Sequence, residues 1–593
     1  MASRKKGKKK IKLEVDPAVA QAQPEDEKPK KIKRAKPVDS AVYDLPPLGE
    51  SVRQWGKKLH LQNVFWGLAL LGIPALYFVW DKWGANFPMQ ESAEVSIKVV
   101  FAVAVTFLVL VRDVSFRERA GKAGTALALG AVLAAAIYFN LGTFHGHTQV
   151  HHWEQFHYAL GAKYFPELGY DGLYAASIAA QLATYPDERP QPIIRDLRTN
   201  EVVPTEAPES VAHREEVKER FSPERWHAFV RDHRFFLDGN NRGYLFSIRK
   251  DHGFNPPPSW TFVARIFSTL PTFDARSTGT LANLDIVLLV ALFVVVFRTY
   301  KSRLACLALI LFGINYAGRY YWVGGAFLRE DWLAAVVIGI CMLEQKRYRW
   351  AGVLFGYATM VRIFPVLFLF GPGILALRAL MRRELPRWAI DLGIGFVLAV
   401  VLGLGAGSLT GRGPAAWSDF AQAISLHKDT WLTNNVGLDT VLLYDETTFE
   451  RKMVNFSQPE PWLQWQAMMD EKKQDNQVML LLAKALLLLL TAAAVWRLDV
   501  PRAAMLGMVV VFTMVLTTCY YWQMLLIVPL LRSRFLVYGA LALNLGLYAL
   551  HFHTPAFEMR YGMMSWALLV LFVAYLAPMA WRNVRPAPEP ITD

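Results

Sequence analysis

The chain has 593 residues, 53% of them hydrophobic and 19% charged, with a formal charge of +14. Apolar runs of about 15–22 residues recur between clusters of Arg and Lys, which excludes a string of soluble domains and marks a polytopic α-helical membrane protein. The three cysteines, Cys306, Cys341 and Cys519, lie in or at the ends of apolar segments without a CxxC, which argues against a disulfide framework or a cysteine metal site.

Much of the charge excess sits in the first 40 residues, a Lys-, Pro- and Glu-rich stretch without apolar periodicity. We read 1–50 as a disordered basic cytoplasmic tail that enforces orientation and suits anionic lipid headgroups; no signal peptide precedes it, and nucleic acid is not an expected partner. Three transmembrane helices are expected over 51–141, a long extracytoplasmic loop with amphipathic helices over 142–283, and a transmembrane core over 284–408. A second extracytoplasmic loop follows over 409–477, then C-terminal helices and a short tail over 478–593.

About fourteen membrane segments are predicted in all: 60–80, 95–111, 123–141, 284–297, 304–317, 332–344, 351–361, 363–377, 388–408, 478–496, 503–517, 520–531, 535–550 and 562–581. Arg and Lys crowd alternate connections (Arg298/Lys301/Arg303, Arg378/Arg382/Arg383, Arg532/Arg534), whereas the opposite short loops are poor in them. That asymmetry places both termini in the cytoplasm of a multi-pass inner (plasma) membrane protein.

The first loop opens with HGHTQVHHWEQFHYALGAKYFPELGYDGLY (145–174), which holds five histidines and Glu154. Trp153 and Phe156 would raise the Glu154 pKa and suit it to general-base work; the plainer reading is a carboxylate paired with a nearby Arg or His. His145, His147, His151, His152 and His157 lack metal-ligand spacing, so no metal site is assigned to them. The stretch 170–185 reads as an amphipathic helix suited to a membrane surface. The loop closes on Asn255 and three prolines, a rigid approach to the next helix.

Within GRYYWVGGAFLREDW (318–332), Arg329, Glu330 and Asp331 stand together at a predicted helix start. Those two acids either cap a helix start or face a shared cavity, and they leave a carboxylate-bound Mg²⁺ or Mn²⁺ open as a cofactor. Arg362 is a single charge inside the apolar run 351–377, where a charge at membrane depth costs on the order of 3 kcal/mol and so faces a cavity or a partner. Basic flanks on both sides of that run predict two short helices broken near Pro365, with Arg362 at their outer apex. In the second loop, Asn434, Asn435 and Trp431 suit a carbohydrate, through amide hydrogen bonds and ring stacking.

No Walker A loop, no GxGxxG unit and no inverted repeat is present, which disfavours a soluble nucleotide substrate. The block Ala351-Gly352…Gly356…Arg362…Pro365, the Glu154…Tyr158 pair and the Asn-Asn-Val-Gly-Leu segment at 434–438 together resemble the multipass C-type glycosyltransferases, in particular the mannosyltransferase-like group of glycosyltransferase family 87. The resemblance spans roughly 140–530. Glu154 stands where that family has Asp, and Gly325-Ala326 where it has Gly-Gln.

The resemblance implies transfer of a sugar from a polyprenyl-phosphate donor to an extracytoplasmic glycan, lipid or protein acceptor, with inversion. Glu154 would be the base, Arg362 and Arg319 the donor-phosphate ligands, and Tyr158, His157, Asn255, Glu330, Asp331, Asn434 and Asn435 the substrate ligands. Two other classes fit the layout: a transporter or flippase of a lipid-linked anion, and a non-catalytic envelope assembly subunit.

Overall fold

The computed structural model describes residues 91–584 apart from 116–119, 147, 241, 270–271, 428–429, 446–447, 449–452, 456–457, 459 and 555. The predicted tail, the predicted span 60–80 and His147 lie outside the described residues. What is described is an all-α protein with only two short antiparallel strand pairs, Ile193–Asp196 with Glu201–Pro204 and Asn435–Val436 with Thr517–Thr518.

Seven described helices are long and apolar enough to cross a membrane: Glu91–Leu110, Ala275–Gly313, Phe364–Met381, Arg387–Gly407, Gln477–Val495, Arg534–His553 and Phe557–Val584. Fourteen segments were expected over the whole chain; one of them, 60–80, lies outside the described residues, and the others differ from these seven in length rather than in helix placement. The segments expected at 284–297 and 304–317 form one run, Ala275–Gly313, interrupted at Lys301 where φ is 65°. Those at 332–344 and 351–361 are helices of 14 and 15 residues, Asp331–Glu344 and Tyr348–Arg362, short of the roughly 20 a full crossing needs. The run 503–517 is divided between Val500–Met505 and Gly507–Met514, and 520–531 is a 3₁₀ stretch, Cys519–Leu531.

The break expected beside Arg362 is present. The helix Tyr348–Arg362 stops at Ile363, whose φ is +55°, a costly conformation for a β-branched residue. Pro365 follows within a short 3₁₀ turn, Phe364–Leu369. Behind the break, Tyr348–Arg362 packs on Arg387–Gly407 through small residues. A Cβ on Gly352 would meet the Leu392 carbonyl oxygen at 2.1 Å, and one on Gly395 would meet the Arg349 carbonyl oxygen at 2.0 Å. The Gly352-x-x-x-Gly356 spacing therefore works as a close helix–helix contact. Gly352→Val forces the backbones apart and is expected to cost about 3 kcal/mol. Gly393, in the helix Arg387–Gly407, has open space around it, so Gly393→Val is the matched control, and thermal melts in detergent compare the two. Equal melting temperatures would refute the close-packing account.

The 142–283 stretch folds as a layer of helices, chiefly Leu173–Thr184, Pro208–Glu219, Pro223–Asp238 and Pro258–Ser268. The helix expected to lie on a membrane surface is instead the centre of this layer: residues 173–181 are all buried. Ser177 and Gln181 of that helix accept hydrogen bonds from the fully buried Arg249 at 2.9 and 2.6 Å. In the 409–477 stretch, Trp431 is buried with Leu443, Trp465, Met469 and Leu480, and its indole N–H donates to Asp470 at 2.8 Å. Trp431 is thus a core residue rather than a stacking platform for a sugar.

Candidate active site

The site is built where the start of the first hydrophilic stretch meets the turn 318–331. Gly325 has φ 68°, and a Cβ there would sit 1.6 Å from the Gln149 carbonyl oxygen, so only glycine allows the two strands of chain to touch. The Gly325 carbonyl accepts from the His151 backbone N–H at 2.9 Å. His151 in turn caps the short helix His152–Gln155: its Nδ1 accepts from the Glu154 backbone N–H at 3.3 Å, which leaves Nε2–H to donate to the Tyr321 carbonyl at 3.2 Å. Burial lowers the His151 pKa to about 4 and keeps that neutral tautomer.

Glu154 projects from this cap into a cavity of about 690 Å³. Its carboxylate pairs with the Arg329 guanidinium at 3.5 Å, with side-chain exposures of 13% and 6%, and its Oε2 has no hydrogen bond. Burial raises the Glu154 pKa above the ordinary carboxylate range, and Arg329 only partly offsets this. Arg329 is caged by aromatic rings, 4.7 Å from the centroid of Tyr520, 5.4 Å from Tyr158 and 5.9 Å from Tyr521. The Tyr158 hydroxyl donates to Asn255 Oδ1 at 3.3 Å. Asp285 fixes the turn that carries Arg329, because its Oδ1 accepts from the backbone N–H groups of Arg329 and Glu330 at 2.8 and 3.0 Å.

Arg362 lies within electrostatic reach of Glu154, Tyr158 and Asp331. Its guanidinium is 5.7 Å from the Trp260 ring and donates from Nη1 to the Val361 carbonyl at 2.9 Å, while its Nε makes no hydrogen bond. Trp260 donates to the Leu328 carbonyl at 3.1 Å and so joins the Arg362 end of the site to the Arg329 turn. Asp331 accepts from the Tyr357 hydroxyl at 3.2 Å and from the Trp332 backbone N–H at 2.7 Å.

The cavity unites the two hydrophilic stretches, since Glu154, His151 and Asp251 line it together with Asn434 and Tyr520. Other expected ligands are held elsewhere. Arg319 is fully buried between Glu91 and Glu94 and over the Tyr316 ring, where it anchors the helix Glu91–Ser115. His157 donates from Nδ1 to the Trp153 carbonyl at 2.9 Å and accepts from the Tyr174 hydroxyl at 2.7 Å, a buried structural bracket. Asn435 is buried in the strand pair with Thr518. Glu330 is buried beside Asp285 and Gln523. Among the described residues, no three His, Cys, Asp or Glu side chains converge to hold a metal ion.

Four members of this site carry more weight than their sequence context suggested: Arg329, Asp285, Tyr520 and Tyr521. Asp285 had a usable signal, as the single acid in the apolar run TLANLDIVLLV (280–290). Fold and site together define an α-helical, membrane-embedded protein with a cavity to which both long hydrophilic stretches contribute. No protein-family model, curated protein or solved structure matches the chain.

Proposed function

We propose that this protein is an integral-membrane glycosyltransferase that moves a sugar from a polyprenyl-phosphate donor to an extracytoplasmic glycan, lipid or protein acceptor. In this reading it sits in the inner membrane, with both termini in the cytoplasm and the cavity on the opposite side. The observation that carries the proposal is Glu154, a buried carboxylate on the cavity wall paired with Arg329 and within electrostatic reach of Arg362.

Glu154 takes the proton of an acceptor hydroxyl as that oxygen attacks the anomeric carbon. The bond from that carbon to the lipid phosphate breaks on the opposite face, its electron pair leaves with the phosphate oxygen, and the configuration inverts. Arg362 holds the departing phosphate, a task suited to a guanidinium, which meets phosphate oxygens in a bidentate fork. A fixed cation aimed at developing negative charge is the kind of term that contributes most to catalysis. Arg329 keeps part of the Glu154 population ionised despite burial, while the raised pKa makes the ionised form a stronger base.

Purified protein incubated with a panel of polyprenyl-phosphate sugars is expected to release free lipid phosphate with at least one of them. Absence of release across a broad donor and acceptor panel, with the folded state verified, would count against an enzyme and favour a transporter or an assembly subunit. The pH dependence has a defined sign. The base works ionised, so kcat/KM rises with pH through the free-enzyme pKa of Glu154. Burial moves that acid limb upward from the ordinary glutamate value of about 4.3. A rate already flat at that ordinary value would exclude Glu154 as the titrating base.

A further inference from the structure

The helix Pro258–Ser268 belongs to the first hydrophilic stretch, yet the side it turns outward is apolar. Trp260, Thr261, Ala264 and Ser268 are buried in the protein. Phe262 and Val263 are half-buried, and Ile266 and Phe267 are 54% and 39% exposed. These four stand at i, i+1, i+4 and i+5, a spacing that gathers them on one side of a helix. A helix between a protein core and water has the reverse order, with its polar residues outside. Arg265 is the one charged residue of this helix, and its guanidinium donates to the Thr410 carbonyl.

That bond docks the helix on the end of a membrane span. Thr410 lies just past the span Arg387–Gly407, and a Cβ on Gly407 would sit 2.9 Å from the Pro258 Cβ. Only 11% of the apolar window of that span is buried, and Val397, Leu398, Val401, Leu402 and Leu404 are exposed along it. Leu409, 72% exposed, carries this lipid-facing surface to the residue beside Thr410, where Arg265 docks and the apolar side of Pro258–Ser268 continues through Ile266 and Phe267.

We propose that Pro258–Ser268 is an interfacial helix, seated with Phe262, Val263, Ile266 and Phe267 among the acyl chains of the bilayer leaflet around the end of Arg387–Gly407. With both termini in the cytoplasm, as proposed, this is the extracytoplasmic leaflet. The seat follows from the spans alone and holds equally for an enzyme, a transporter or an assembly subunit. It bears on the site because the same helix reaches Arg362: the Ser259 hydroxyl donates to the Met360 carbonyl, and the Trp260 ring lies 5.7 Å from the Arg362 guanidinium. The membrane thereby sets the depth at which Arg362 stands.

The test places single spin labels on full-length protein in lipid nanodiscs, at Ile266→Cys and Phe267→Cys, and reads their collisions with oxygen and with a water-soluble nickel chelate. Val397→Cys, on the lipid-facing span, and Glu219→Cys, exposed in the hydrophilic stretch, mark lipid and water. Unsubstituted protein carried through labelling gives the background from Cys306, Cys341 and Cys519. Labels at 266 and 267 are expected to lose the nickel collisions seen at Glu219, to keep oxygen collisions as at Val397, and to lie about 5–10 Å below the headgroup boundary. Nickel collisions equal to those at Glu219 would put the face in water and overturn the proposal. Labels shielded from both reagents would put it against a protein neighbour and overturn it equally. Should a variant not fold, wild-type protein decides: a phospholipid with a photoreactive acyl chain is expected to crosslink to residues 262–267, and crosslinks confined to the spans would refute the seat.

Discussion

Glu154→Gln is expected to lower transfer by about 10³-fold or more while leaving the protein folded and inserted. The substitution keeps the side-chain volume and removes only the capacity to accept a proton, and a positioned general base contributes about 10²–10⁴-fold. Two effects on stability oppose each other. Losing the carboxylate removes a charge whose ionised form burial disfavours, but it also deprives Arg329 of its ion pair. The rings of Tyr158, Tyr520 and Tyr521 still surround the guanidinium, which limits the second cost. The measurement is lipid-phosphate release per folded protein, with folding followed by thermal melts. Full activity in the variant would remove Glu154 from the mechanism.

Two other acids of the first hydrophilic stretch, Asp171 and Asp232, are poor substitutes for that role. Asp171 is held by both terminal nitrogens of Arg220 at 3.0 and 2.9 Å. Asp232 is buried against Lys163 at 2.7 Å, the Tyr164 hydroxyl at 2.8 Å and the Phe273 backbone N–H at 3.1 Å. Their lone pairs are committed to holding the helical layer together, so their variants are expected to lose stability rather than chemistry alone.

Local sequence placed the helices well and their lengths less well. The runs 388–408 and 478–496 fall within one residue of Arg387–Gly407 and Gln477–Val495, because an apolar run ends where charge begins. Whether an apolar segment crosses, stops half-way or turns 3₁₀ is set by its neighbours. Hence 332–344, 351–361, 503–517 and 520–531 read as spans although they form short or irregular pieces. Charge cost singles out Arg362 in the sequence as a residue in need of partners, and the fold puts it over the Trp260 ring and within electrostatic reach of Glu154 and Asp331. Charge cost could not supply those partners, because Glu154 is some two hundred positions away and the ring cage of Arg329 comes from both 158 and 520–521. Arg319 and Arg329 look alike in sequence, each within three residues of an aromatic in one short stretch. Only the fold separates the one locked between Glu91 and Glu94 from the one that meets Glu154.

That distinction makes Arg329 the second decisive position. Arg329→Met preserves much of the side-chain bulk and leaves Glu154 buried without its paired cation, so it is expected to cost about 3–5 kcal/mol of stability, the range for breaking a buried pair from one side. The acid limb of the pH–rate profile should move further up, by about one pH unit or more, because an opposite charge lowers a carboxyl pKa by roughly 1–3 units. Arg362→Gln should instead weaken the donor-phosphate interaction and move the limb less. Combining Glu154→Gln with Arg329→Met removes both charges, and that double variant should regain at least half of the stability lost by Arg329→Met, since no unpaired charge remains. A double-mutant cycle read by thermal melting checks this. Simple addition of the two single effects would mean that the 3.5 Å contact couples nothing, and Arg329 would then be a packing residue with no hold on the base.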